Sequence, residues 1–337
     1  MQNAKLVENL NVKSASAQIF ALSFVVFCAL TATLIGSFPL AASIVTIFLF
    51  AGVHNFFEFR YFAARMPLRW GKSRLFYAVG IGGVLVLTSA YLTIYFVNGN
   101  WFWSANNWQI LVSVWNTAFV LWIGTLFYIR GRQKPNTDWT IAFAVAFLFA
   151  GLAWLVPNYW SLSLVYLHPF VAIYFLERQI RRTKKEWLKS YHFCLLTIPF
   201  FIAILYVAFA NLPNLAEENS LFSRIAQHSG SGILSNISSH FLVATHVFLE
   251  TIHYTVWILL IPLVDKRAIP WKLNEIPLFA NREGFPKLVA IALIAGLTIV
   301  FALWLGFSLD YETTRDVYFA FAIAHVLAEM PFLVKML

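Results

Sequence analysis

Apolar runs of about 17 to 25 residues, separated by short polar segments, recur along nearly the whole chain. A helix needs that length to cross ~30 Å of hydrocarbon at ~1.5 Å per residue. Ten runs meet it: Ile19–Phe38, Leu40–Phe59, Leu75–Val97, Ile110–Tyr128, Trp139–Val156, Trp160–Leu176, Phe193–Phe209, Phe241–Val264, Leu288–Phe307 and Val317–Val334. The pattern predicts an all-α, polytopic integral membrane protein with about ten transmembrane helices, since backbone polar groups in lipid must be satisfied within the segment. The first run is as long as a full span and lacks the short apolar core and small-residue cleavage site of a secretory signal. It reads as a retained helix behind an N-terminal segment, residues 1–16.

Charge then orients the spans. Basic residues crowd alternate loops, at Arg65, Arg69, Lys72 and Arg74, at Arg130, Arg132 and Lys134, from Arg178 to Lys189, and from Lys266 to Lys287. The opposite loops carry Glu217, Glu218, Asp310, Glu312 and Asp316, with only Arg224 and Arg315 as cations. By the positive-inside rule both termini, including the 1–16 segment, are cytoplasmic. The longest outer connection, residues 210–240, is rich in Asn, Pro, Ser and Gly and reads as a connector with a short interfacial helix around Leu221–Gln227, a lid being the alternative. Trp101, Trp103, Trp108, Trp139, Tyr159 and Trp160 fall at the expected boundaries as interface anchors.

Composition narrows the class. Only 12 % of the 337 residues are charged and 60 % are hydrophobic, which excludes a soluble enzyme and a disordered chain. The net charge of +9 belongs to one membrane face, so no nucleic-acid partner is expected. Arg60, Arg65, Arg69 and Arg74 read as such face charges, a bound lipid or prenyl phosphate being the alternative. Cys28 and Cys194 lie in apolar runs without ligand spacing. No repeat or linker marks a second domain, so residues 1–337 read as one transmembrane domain, located in a bacterial inner membrane or its equivalent.

Ionisable groups in hydrocarbon cost about 2.5 to 3.5 kcal/mol each, so those within spans need a partner or a task. They recur in even-numbered spans: His54 and Glu58; His168; His246, Glu250 and His253; His325 and Glu329. These spans share one direction. Counted from the cytoplasmic ends, His54, His168, His253 and His325 lie about 8 to 11 residues in, ~12 to 17 Å. Glu58, Glu250 and Glu329 each sit four residues beyond a histidine, where a carboxylate can orient an imidazole. The metal candidates are therefore His54, His168, His246, His253 and His325, with Glu58, Glu250 and Glu329 as catalytic or orienting carboxylates. Imidazole suits iron most readily here, with copper or zinc as alternatives. His192 and His228 read as solvated, and His240 as interfacial.

Gly52 two residues before His54, the pair His168-Pro169, and Ala324-His325 resemble features of the bacteriorhodopsin-related-protein family, membrane carotenoid dioxygenases. The chain departs from that family at Asn55-Phe56-Phe57-Glu58, where a glycine and an aspartate are typical. The resemblance implies iron held by membrane histidines and long isoprenoid substrates. The residues and the resemblance together predict a membrane non-haem iron oxygenase, an oxidoreductase of lipid or carotenoid metabolism that takes a hydrophobic small molecule from the surrounding membrane lipids. Any electron donor is a separate protein. The alternatives are a proton-coupled transporter and a haem- or pigment-binding assembly factor.

Overall fold

The computed structural model describes residues 2–97, 105–134, 139–216 and 218–337, with side chains described from Ser16 onward except at 97 and 105–107. Thirteen α-helices follow one another: α1 (Gln2–Ser37), α2 (Pro39–Ala63), α3 (Arg74–Val97), α4 (Ala105–Arg132), α5 (Ile141–Leu155), α6 (Pro157–Thr183), α7 (Leu188–Phe209), α8 (Ser220–His228), α9 (Ser239–Thr255), α10 (Ile261–Val264), α11 (Pro277–Ala280), α12 (Pro286–Leu309) and α13 (Tyr311–Met336). Among the described residues there is no strand, and nine segments are long and apolar enough to cross a membrane.

One expected span falls short. The run Trp139–Val156 forms only the 15-residue helix α5, about 22 Å long. Val156 leaves the helix at φ −138° because Pro157, which opens α6, disfavours helical backbone in the residue before it. The count is therefore nine, not ten. Trp101, Trp103 and Glu217 lie outside the described residues.

The chain falls into two compact units, Met1–Phe57 with Pro169–Lys272 and Glu58–His168 with Leu273–Leu337, so the seams fall within α2 and α6. In the first unit α9 packs against α1, α7 and α8 and is the most enclosed of the spans, with 61 % of its apolar window buried. The connection over residues 210–240 is tied to the start of α9: Asn214 Oδ1 accepts from Ser239 N (2.9 Å) and Ser239 Oγ accepts from Leu215 N (2.8 Å). Within it, α8 starts on an Asn219 cap, whose side chain accepts from Phe222 N. It ends at Gly230, whose φ of 97° permits the paired bonds Gly230 N→Gln227 O and Ser231 N→Ala226 O that close a helix C-terminus.

In the second unit α3 packs on α4 and α13, and α5 lies along α4 through Ala146, Ala150 and Ala153, small residues on one stripe. Gly83 is required at the α3–α4 contact. The Trp122 indole occupies the space a Cβ would fill, its Nε1 donating to Val79 O at 2.9 Å. Pro331 of α13 rests against Gly80 of α3. Of the expected face charges, Arg60 is fully buried, Arg65 lies over the Tyr61 ring, and Arg69 pairs with Glu283.

Candidate metal centres

In the second unit α6 supplies His168 and α13 supplies His325 and Glu329. Their rings meet edge to face with centroids 5.2 Å apart, and the two Nε2 atoms are separated by 3.3 Å. On the far side of His168, Nδ1 lies 3.2 Å from Glu329 Oε2. Glu329 is wholly buried. A carboxylate oxygen of Glu58, also buried, comes within 4.8 Å of a ring nitrogen of His325.

These distances carry chemical meaning. Nitrogens bound at about 2.0–2.1 Å to one ion are about 2.9 to 3.4 Å apart when adjacent in the coordination shell and about 4.1 Å apart when opposed. The 3.3 Å spacing is that of adjacent ligands, not of axial ligands either side of a haem. The same spacing accommodates a proton bridging the two Nε2 atoms, the metal-free form of the pair. A carboxylate beside Nδ1 favours the proton there and puts the lone pair on Nε2. Two imidazoles and a carboxylate make a donor set suited to a divalent transition metal; here His168 and His325 supply the imidazoles, with Glu329 beside His168 and Glu58 beside His325. The residues fit a divalent transition metal, iron included.

The partner of Glu329 differs from the one helical spacing suggests, while Glu250 meets His246 as expected. Glu329 lies one turn from His325 on α13, yet its Oε2 reaches His168 on α6. Two prolines help set these helices: Pro169 directly follows His168 and Pro331 follows Glu329 by two, each withdrawing one N–H from the helical ladder.

The first unit holds a second pair. His54 on α2 and His253 on α9 are both buried, with ring centroids 5.2 Å apart at 76° and ring nitrogens within 4.8 Å. His54 Nδ1 is 3.1 Å from Phe50 O, one turn back. A carbonyl can only accept, so Nδ1 carries the proton and Nε2 presents its lone pair. Tyr254 lies over His54, centroids 4.3 Å apart at 31°. Just beyond it, Val256–Leu260 forms a π-helical stretch closed by Ile261 N→Val256 O. Such widened turns frequently mark functional positions.

His246 and Glu250 occupy a different place on α9. His246 precedes His253 by two turns, about 10 Å along the axis. Its Nε2 lies 3.7 Å from Glu250 Oε1, and its ring packs 5.1 Å from that of His228. His246 therefore does not join the His54–His253 pair. His228, expected to be solvated, is half-buried against it because α8 folds back onto α9; the Asn219 cap and Gly230 were the available signals. His240 Nε2 contacts Gly36 O at 2.7 Å and stacks on Phe209, a structural tie at the start of α9. His192 sits exposed, 3.4 Å from Glu177. Cys28 and Cys194 are free and fully buried in apolar packing. No family model matches the chain, and neither a curated protein nor a solved structure matches it.

Proposed function

We propose that this chain is a multi-pass membrane metalloenzyme with cytoplasmic termini, a non-haem iron oxygenase acting on a lipid or isoprenoid substrate that enters from the bilayer. One observation carries the reading: the His168–His325 pair at adjacent-ligand spacing, with Glu329 set behind His168. His168 and His325 bind through Nε2, Glu58 completes the donor set, and Glu329 holds the proton of His168 on Nδ1. Bound iron supplies activation of dioxygen. The burial of Glu58 and Glu329 beside the pair marks a setting from which water is kept.

The test is metal content and the visible spectrum of detergent-purified protein beside a His168→Ala, His325→Ala double variant. Near-stoichiometric iron, without a haem band and lost from this pair in the variant, is the expected result. Wild-type protein without bound metal overturns the reading.

A second reading, a proton-coupled transporter, is favoured by the file His246, Glu250, His253 along α9 with His228 against its outer member. Proteoliposomes with pH-driven flux that Glu250→Gln abolishes support it, and their lack of flux removes it.

A further inference from the structure

Two features of the first unit remain after the metal centres are described: the aromatic ring over His54 and the π-helical stretch beside it. Neither follows from sequence spacing. Adjacent residues on an α-helix point about 100° apart, yet both His253 and Tyr254 are buried and both meet His54, at 5.2 and 4.3 Å between centroids. The π-helical stretch begins two residues later. The contact from His54 Nδ1 to Phe50 O fixes one ring atom and leaves the imidazole a swing about that line, since its terminal torsion is soft. A ring in contact over it, tilted by 31°, restricts that swing.

We propose that Tyr254 is the positioning residue of the His54–His253 pair: its ring, not its hydroxyl, holds the His54 imidazole in the plane that presents Nε2 to a divalent transition-metal ion. This inference rests on the metal-centre reading of the protein. It extends that reading to the first unit, where a tyrosine ring and a backbone carbonyl orient His54 as Glu329 orients His168 in the second. Outer-shell partners of metal-binding histidines typically govern affinity by about 10- to 100-fold.

The test uses the detergent-purified full chain in a His168→Ala, His325→Ala background, so that cobalt(II) added as the probe reports the first-unit pair. Y254F should bind cobalt within about twofold of the parent and Y254L at least about 10-fold more weakly. The metal-free NMR signal of the His54 ring proton between the nitrogens, assigned through His54→Gln, should show a ring-current displacement in the parent and Y254F that Y254L loses. Equal affinity of Y254L and the parent overturns the proposal, as does equal damage in Y254F and Y254L. A parent that binds no cobalt while showing the displacement overturns this inference, while the metal reading at His168 and His325 is judged separately by the metal content of the wild-type protein. A parent that binds cobalt without the displacement overturns the positioning role alone. Should Y254L fail to fold, Y254W and Y254M carry the same aromatic against non-aromatic comparison.

Discussion

His54 in the first unit is oriented by the Phe50 carbonyl and the Tyr254 ring, both uncharged, whereas His168 in the second unit is set against the buried carboxylate of Glu329. The contrast extends to the helices that carry each pair. α9, bearing His253, is capped by the neutral hydroxyl of Ser238, which accepts from His240 N; α13, bearing His325 and Glu329, is capped by the carboxylate of Asp310, which accepts from Thr313 N at 3.1 Å. His54 is thus oriented by uncharged groups and His168 by a carboxylate. Neutral support fixes a ring and a tautomer and asks nothing of a bound cation. A carboxylate in a dry setting calls for positive charge, so Glu329 gives His168 an electrostatic reason to face a divalent ion that the Phe50 carbonyl and the Tyr254 ring do not give His54.

The sharpest way to break this comparison is to remove the charge and keep the shape. Glu329→Gln should lower metal affinity at the second pair by about 10- to 100-fold, the usual cost of losing an outer-shell carboxylate. The Phe50 carbonyl and the Tyr254 ring that orient His54 are untouched by the change, so the loss at the His54–His253 pair should be smaller. Chelator competition monitored by metal analysis, with the first pair followed in a His168→Ala, His325→Ala background, separates the two. Equal losses at both pairs, or none at either, would end the distinction between charged and neutral support.

The packing beneath the second pair offers a smaller perturbation. Gly83→Ala places a methyl 1.9 Å from Trp122 Nε1, so the indole must withdraw and give up its bond to Val79 O. Overpacking of this kind costs about 1 to 3 kcal/mol. Because α13 rests on the same helix α3, through Pro331 against Gly80, the thermal midpoint should fall and metal retention at His168 and His325 should weaken. Cobalt binding at the first pair should stay as it is. An unchanged midpoint would mean that the α3–α4 contact relaxes without cost.

Run length along the chain located nine of the ten expected spans because hydropathy and length are what the bilayer reads. It overcounted at Trp139–Val156, where the Val156-Pro157 step ends α5 early; the proline was visible, but run length does not weigh it. The ionisable residues were visible too, since each is conspicuous among apolar neighbours. Which ring meets which carboxylate was hidden. Glu329 turns to His168 because that choice depends on how α6 and α13 are rotated about their axes, which i,i+4 spacing does not encode. The sequence also grouped His246 with His253 as a metal candidate, although it meets Glu250 and His228 instead of the His54–His253 pair. The π-helical stretch after Tyr254 carries no local sequence signature at all.

The finest difference between the two supports is their response to acid. Hydrogen bonds from the hydroxyl and then the backbone N–H of Thr313 hold the Asp310 carboxyl below its ordinary range. A carboxyl depressed in the folded state contributes stability above its unfolded value, about 3.9 for aspartate, and that contribution disappears as pH falls through the lower folded value. The Ser238 cap on α9 has nothing to titrate there. Asp310→Asn keeps an accepting oxygen but removes the charge from the N-terminus of α13, so its thermal midpoint should lie slightly below wild type at pH 7 and converge with it in strong acid. Ser238→Ala, by contrast, should lower the midpoint by a similar amount at every pH. Parallel curves for Asp310→Asn and wild type down to about pH 2 would show that this end of α13 draws nothing from charge, and the contrast between the units would then rest on Glu329 alone.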